Sequence, residues 1–296
     1  MRQLVKVVAI GLIFFGVSEL SAQKQYGSKN KKYHKKRYEL LLYGSGGIST
    51  LQYKVTTGKQ SDGFGGQAGF LYHFFFNPKL SLKTGVEFSL YNASFALDNS
   101  STRFMTTDIE QSAFEFRSTI YNYKENQYLV MLQIPIMLQL QVGAKHKFYA
   151  AAGGKVGIPI SVKGNNSSTN VQNSGYYAEE DYEYTSQSFM GFGQFSGSNN
   201  NLKFKMAFMA SAEIGTKWVM RDGYKFYTGI CVDYGLNNIA STQNDQPPFI
   251  EYNSKHPSDF KVNSIIKSQY SQNGEMQPFT NKIVPLFAGV KLTLAF

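Results

Sequence analysis

Charged side chains recur at alternate positions inside otherwise apolar segments of this 296-residue chain. Successive side chains of a β-strand point to opposite faces, so this spacing predicts charges gathered on one face of a sheet. If the sheet closes with its apolar face outward, the charges would pair inside it, because an unpaired buried charge costs several kcal/mol. The alternative is a narrow, cation-repelling pore lined by excess lysines. The predicted lumen charge network is Lys83, Glu87, Lys155, Lys205, Glu213, Lys217, Asp233 and Lys291.

The histidines offer little support for enzyme chemistry. Nucleophilic catalysis needs a nucleophile, a base and an orienting group that converge. His256 lies in a predicted surface loop, but no serine or aspartate near it has triad-like spacing, and Asp259 reads as a loop acid. The other histidines are predicted in the N-terminal tail or at periplasmic turns: His34, His73 and His146. The single cysteine, Cys231, forms no metal-type pattern. We therefore predict no catalytic residue, no cofactor and no metal site.

Eight segments show the alternation of a transmembrane β-strand, with apolar residues facing lipid and small or polar residues facing the lumen. In the clearest segment, Leu138 and Leu140 alternate with Gln139 and Gln141. The first segment is the least regular, with Leu40 and Leu42 predicted to face lipid. The predicted strands lie near residues 38–53, 63–76, 80–90, 127–142, 148–160, 204–218, 226–236 and 284–296.

The connections between these strands alternate between short and long. The short ones lie near residues 77–79, 143–147 and 220–224, and the long ones near 54–62, 96–126, 164–201 and 239–281. An even strand number permits closure of an antiparallel single-chain barrel. The predicted fold class is therefore all-β: an eight-stranded antiparallel transmembrane β-barrel with short periplasmic turns and long surface loops.

Both ends of the chain agree with export to an outer membrane. Residues 1–22 combine a basic start, an apolar run and small residues before Gln23, which predicts a signal peptide. Residues 23–37 form a basic tail and residues 38–296 the barrel domain. The closing stretch Leu292–Phe296 resembles the end signal of bacterial outer-membrane proteins. Much of the formal net charge of +10 lies in the tail, so we predict outer-membrane lipid rather than nucleic acid as a partner.

Several motifs resemble those of one barrel family. The segment Tyr128–Leu138, YLVMLQIPIML, is similar to the Tyr-Leu-x-x-Pro-Leu-Leu signature of PorT-like outer-membrane barrels of Bacteroidota. Ala152–Gly157, Asp233–Leu236 and Ser21–Gln23 are similar to that family too. The resemblance covers essentially the mature barrel. Because the family's namesake is tied to type IX secretion and gliding, it implies possible envelope or secretion-system proteins as partners.

The surface loops carry the remaining hypotheses. Tyrosine supplies amphipathic contact area at low entropy cost, which makes the third loop a candidate binding surface. Its candidate residues are Tyr176, Tyr177, Tyr182 and Tyr184. The alternative is that Tyr182 and Tyr184 belong to a hairpin above the membrane, with the nearby acids simply solvated. The second loop contains alternation that predicts outward-extending strands, and the fourth is predicted to be irregular and mobile.

The sequence thus predicts a non-enzymatic outer-membrane barrel that anchors surface loops or serves as an accessory of an envelope or secretion complex. A narrow small-solute porin is the alternative, and an outer-membrane enzyme is a weaker one. An eight-stranded barrel is about wide enough to be filled by side chains. A large open channel is therefore excluded at this strand count.

Overall fold

The computed structural model describes residues 37–55, 57–143, 146–185, 191–199, 202–220, 224–241, 246–272, 275–280 and 282–296. The predicted signal peptide and the basic tail up to residue 36 lie outside this part. Eight strands form a ring: β1 Tyr38–Gln52, β2 Lys59–Phe75, β3 Leu80–Thr107, β4 Ala113–Val142, β5 Lys147–Tyr177, β8 Ala207–Val219, β9 Lys225–Gly235 and β14 Val284–Ala295. Six shorter strands lie outside the ring: β6 Tyr182–Tyr184, β7 Phe192–Asn199, β10 Ile250–Glu251, β11 Lys261–Val262, β12 Gln269–Gln272 and β13 Glu275–Pro278.

All neighbours in the ring are antiparallel, and the first and last strands close it. β1 pairs with β14 from Leu41 opposite Ala295 to Gln52 opposite Val284. β4 pairs with β5, β5 with β8, and β8 with β9, so β6 and β7 stand beside the ring rather than in it. Closure removes the unpaired strand edges that a lipid environment would not tolerate. The prediction of an eight-stranded antiparallel barrel is confirmed.

Residue alternation separates the two faces of the barrel wall. Along β4, Leu138 and Leu140 are exposed on the outside, whereas Gln139 and Gln141 are buried in the lumen. Leu40 and Leu42 are exposed on the same outer face, as predicted. The outer face is apolar, as expected for a surface in contact with lipid. Among the described residues, no helix is long and apolar enough to cross a membrane.

The short turns lie at the end of the barrel that is periplasmic in outer-membrane proteins. At the turn between β2 and β3, the Asn77 side-chain oxygen accepts hydrogen bonds from the backbone N–H groups of Lys79 and Leu80, both at 2.9 Å. The other two short turns lie partly outside the described residues. Asparagine can thus close this connection locally, without help from the rest of the fold.

Three strands continue far beyond the membrane. β3, β4 and β5 contain 28, 30 and 31 residues, whereas β8, β9 and β14 contain 13, 11 and 12. Much of the predicted second and third loops is therefore sheet, as the alternation in the second loop indicated. We call these extensions, together with β6 and β7, the wall; it comprises residues 93–107, 113–126, 164–177, 182–184 and 192–199.

The described part of the fourth loop, residues 246–272 and 275–280, packs against the inner face of the wall and is called the cap. It is irregular, as predicted, with strands of only two to four residues. Its apolar side chains are completely or almost completely buried at Phe249, Ile250, Ile265 and Phe279, and the mobility of the loop stays a prediction. A Gln-, Asn- and Ser-rich loop thus hides apolar side chains that need a surface to cover them.

Candidate functional site

The first ion-pair cluster of the lumen is centred on Lys155. Its Nζ lies 2.6 Å from a Glu87 oxygen and 2.9 Å from a carboxylate oxygen of Asp233. Gln67 and Ser211 donate hydrogen bonds to the same Asp233 carboxylate, each at 2.5 Å. All of these residues are buried. Five ring strands, β2, β3, β5, β8 and β9, contribute to this cluster, and Lys155 has two carboxylates within hydrogen-bonding distance.

A second cluster is centred on the buried Glu213. One of its oxygens accepts from Lys83 at 3.0 Å and from Lys291 at 3.1 Å, and the other accepts from the Tyr149 hydroxyl at 2.6 Å. The Lys291 ammonium also lies 3.9 Å from the centroid of the Tyr43 ring, a cation–π distance. The phenol of Tyr43 donates to Glu87 and thereby connects this cluster to the one around Lys155.

The third cluster is organised by Glu39, an acid that sequence reasoning missed. Its carboxylate accepts from Lys217 at 2.8 Å, from Lys225 at 2.6 Å and from the Tyr227 hydroxyl at 2.6 Å. Glu39 lies at the irregular start of the predicted first strand, outside the predicted network. Leu40 and Leu42 are predicted to face outward. Because strand side chains alternate, the neighbouring Glu39 must then face the lumen.

Lys205 is the predicted network member that the structure places elsewhere. It is exposed and precedes β8, which begins at Ala207. Its backbone N–H donates to the carbonyl of Ile239 at 2.8 Å, so this segment joins the connection above the barrel. The predicted strand began too early, at Phe204, which forms only an isolated bridge with Ala240. The other seven predicted residues do lie together in the lumen.

These placements change the charge balance inside the barrel. The fully buried set has four lysines, Lys83, Lys155, Lys217 and Lys291, and four acids, Glu39, Glu87, Glu213 and Asp233. Lys225 reaches Glu39 from the partly exposed rim. Within the described residues, the buried lumen therefore lacks the lysine excess that a cation-repelling pore would need.

Neutral side chains fill the lumen above the charges. The Gln133 amide donates to the Tyr91 hydroxyl at 3.0 Å, and the Tyr53 hydroxyl donates to Gln127 at 3.1 Å. In the sequence, the glutamines and tyrosines at inward positions of the alternating strands indicate this layer. Their amides and phenols can hydrogen-bond while their bulk closes the bore.

A Ser–His–Glu arrangement occurs at the periplasmic end of the lumen. His73 Nε2 lies 2.7 Å from Ser81 Oγ, and His73 Nδ1 lies 3.7 Å from a Glu39 oxygen. Ser81 and His73 have no exposed surface, and Glu39 is already bound by two lysines and a tyrosine. A substrate carbonyl cannot reach this serine, so the arrangement resembles a catalytic triad only in its residue types.

The cap is fastened to the wall by a buried carboxylate and by aromatic rings. Glu125 accepts hydrogen bonds from Tyr123, from Ser264 and from the backbone N–H of Ile265. Burial raises the pKa of the Glu125 carboxyl above its ordinary value, since desolvation disfavours its charged form. Ring centroids of Tyr123 and Phe249 lie 5.0 Å apart, edge to face. Polar and apolar contacts therefore hold the same piece of loop.

Of the four tyrosines predicted to form a binding surface, Tyr177 is buried. Its ring stacks on Phe114 with centroids 5.0 Å apart, and its hydroxyl donates to Asp108 at 2.9 Å. Burial and this hydrogen bond raise the pKa of Tyr177. Alternation along β5 sends Tyr177 inward and Tyr176 outward, so two adjacent tyrosines cannot share one surface.

The other three tyrosines remain on the outside. Tyr182 and Tyr184 are exposed and contact each other edge to face at 4.7 Å. Tyr176 lies under the Arg117 guanidinium at 4.4 Å, and Arg117 also pairs with Glu183 at 2.9 Å. We call these five residues the tyrosine patch. In the described part of the chain, no group of three or more His, Cys, Asp or Glu side chains could hold a metal ion.

Comparisons with known proteins agree with this architecture. Residues 18–241, more than half of the chain, match the family model of the outer membrane protein beta-barrel domain. The crystal structure of Ail, the attachment invasion locus protein of Yersinia pestis, matches 88% of this chain and 97% of that chain at 10% identity, with a TM-score of 0.25. Likeness at that level carries no functional argument. Comparison with curated proteins finds no match. The chain belongs to the outer membrane protein beta-barrel domain family.

Proposed function

We propose that this protein is a non-enzymatic outer-membrane barrel that anchors a rigid extracellular binding platform, formed by the wall and the cap. The observation that carries the proposal is the contrast between a lumen filled by balanced ion pairs and strands that continue well above it. The longest strands extend outside the membrane and the lumen is filled. This arrangement is suited to binding rather than to transport.

The tyrosine patch supports a protein or glycan partner on the cell surface. Tyr182 is 57% exposed and contacts the exposed Tyr184, so two aromatic rings are presented side by side to a partner. Arginine and tyrosine are enriched where proteins recognise one another. Because the wall is a continuous sheet, these side chains are presented on a rigid surface and little entropy is lost on binding.

The resemblance to PorT-like barrels of Bacteroidota supports a finer version of this proposal. In that version the protein, exported by residues 1–22, is an accessory of an envelope or secretion complex. Its contacts would then include the periplasmic face and the basic tail, residues 23–37. Deleting the tail separates the two versions, because a platform that acts on the cell surface would keep its partner without it.

Site-specific photo-crosslinking in intact cells tests the platform directly. A photoreactive residue at Tyr182 is expected to capture a defined partner, whereas one at Ile136, which is exposed on the lipid-facing wall, is expected to capture none. Purified protein in planar bilayers is expected to show no steady conductance. Steady anion-selective conductance, with no adduct at Tyr182, would replace the proposal with a narrow pore.

A further inference from the structure

Two largely polar rows of side chains cross the outside of the wall and the adjoining end of β2. Strand register aligns Ser61, Ser94, Asn126 and Asn165 in one row and Lys59, Ala96, Lys124 and Ser167 in the next. A surface cavity of about 320 Å³ opens at these rows. It is lined by the four residues of the first row, by Ala96, Lys124 and Ser167 of the second, and by Phe95 between them. It faces away from the lumen, because the buried Glu125 beside it points inward.

The register also fixes the level of this cavity relative to the membrane. The next row toward the barrel contains Asn92, Tyr128 and Lys163, and the row below that contains Leu90 and Val130. Tyrosine and lysine are typical of the membrane–water interface, and leucine and valine of the lipid-facing band. The cavity therefore lies at the height of the lipid headgroups of the outer leaflet.

The electrostatics of this surface favour an anion. Lys59, Lys124 and Lys163 are exposed, and none forms an ion pair with a carboxylate in the described part of the chain. Arg117, higher on the same wall, is by contrast paired with two glutamates. Unpaired lysines at headgroup level attract phosphate, and each charged contact adds to the affinity.

The neutral residues of the cavity suit a sugar. Ser94 Oγ donates to the Asn126 side-chain oxygen at 2.8 Å, which fixes that oxygen and leaves the Asn126 side-chain N–H groups as donors for a ligand. Asn165 and Ser167 add further donors and acceptors on the neighbouring strand. Hydroxyl and amide groups of this kind can exchange hydrogen bonds with the hydroxyls of a saccharide.

We propose that this cavity binds the phosphorylated saccharide headgroup of an outer-leaflet glycolipid. Lys124 contacts the phosphate, with Lys59 and Lys163 on either side, and the serine and asparagine side chains contact the sugar. The acyl chains of the same lipid lie along the apolar rows of β3 and β4 directly below. The continuity between cavity and lipid-facing band distinguishes a lipid ligand from a soluble anion.

The test uses the full-length protein in phosphatidylcholine nanodiscs doped with a bis-phosphorylated glucosamine disaccharide lipid. Native mass spectrometry is expected to show one such lipid retained by the wild-type protein and at least about tenfold less by the Lys124→Glu/Lys163→Glu variant. The matched control, Lys255→Glu/Lys282→Glu, makes the same charge change at exposed lysines of the fourth loop and is expected to retain the lipid. Heat-modifiable migration in gels verifies that each barrel is folded.

A second variant fills the cavity without altering charge. Asn126→Leu/Asn165→Leu is also expected to lose the glycolipid, since it removes the sugar contacts and occupies the space. Equal retention by the wild-type protein and both cavity variants would overturn the proposal. So would retention of inorganic phosphate or the free headgroup as strongly as the intact lipid, because the site would then be a plain anion site.

Discussion

The barrel lumen and the space under the cap are both closed to solvent, but opposite chemistries fill them. In the lumen, four lysines and four acids are buried together and joined by tyrosine hydroxyls. Under the cap, Phe95, Phe249, Phe279 and Tyr270 form an aromatic cluster, and Glu125 is the carboxylate bound there. The first region is built from ring strands, whereas the second needs a loop to fold back onto a wall.

These two chemistries make the lumen and the cap sensitive to different kinds of substitution. A buried ion network depends on matched partners. Removing one member leaves another charge buried and unpaired, which destabilises the fold by more than the loss of one contact. An aromatic cluster depends on contact area and volume. Each truncation therefore lowers the free energy of unfolding in proportion to the cavity that it leaves. The lumen should therefore be sensitive to imbalance and the cap to loss of volume.

The largest effect is expected from breaking the charge balance of the lumen. Glu213→Leu leaves Lys83 and Lys291 buried without their carboxylate and is expected to destabilise the barrel by about 3–5 kcal/mol. The measurement is urea unfolding in lipid vesicles, followed by the fluorescence of the single tryptophan, Trp218. The triple variant Lys83→Met/Glu213→Leu/Lys291→Met should recover most of the loss. If it is no more stable than Glu213→Leu, charge imbalance is not the cause.

The next largest effect is expected from Phe249→Ala under the cap. It should weaken cap closure by about 3 kcal/mol, since a buried aromatic side chain is replaced by a cavity. Limited proteolysis should then cut the cap while the ring strands stay protected. Phe192→Ala is the matched control, because Phe192 is exposed on the wall and its truncation should leave cleavage unchanged. Simultaneous unfolding of the ring would show that the two regions are one cooperative unit.

A smaller effect is expected from pH, and only at the cap. Because burial raises the pKa of Glu125, the closed cap binds a proton at this carboxyl more tightly than the open cap does. Closure should be strongest below the ordinary glutamate pKa and weaken as pH rises from there through the raised value, with no further change above it.

Fluorine NMR of fluorophenylalanine at position 249 would report the closed and open populations across this window. Glu125→Gln keeps the shape of the side chain but cannot titrate, so its populations should not change with pH. A pH response that persists in this variant would assign the effect to another group.

The smallest effect is expected at the rim of the lumen network. Lys225→Ala should cost no more than about 1 kcal/mol, because the Lys225 side chain is 34% exposed and water screens its ion pair with Glu39. Lys217→Ala removes a buried partner of the same carboxylate and should cost clearly more in the same urea titration. Equal losses would mean that the rim and the interior of the lumen do not differ in screening.

The alternation of residues was enough to predict strand number, strand direction and the facing of most side chains. It predicted seven lumen charges that the structure brings together, and it contained the information needed to find Glu39. The alternation is less informative at strand ends. It places Lys205 in the sixth predicted strand, whereas β8 begins two residues later, at Ala207. Strand boundaries depend on hydrogen bonds to neighbouring strands, which a local pattern does not contain.

Inside the ring strands, the amino-acid pattern alone specifies which face of the barrel a residue occupies, because a β-strand alternates its side chains whatever surrounds it. Only the closed ring decided which charges meet. Lys83 and Glu213 are 130 residues apart in the chain, yet they form an ion pair across the lumen. The tertiary structure also decided that a polar fourth loop becomes a packed cap. Burial of its few apolar residues requires the inner face of a wall formed by earlier strands, and the hydrogen bond from Ile265 to Glu125 joins residues 140 positions apart.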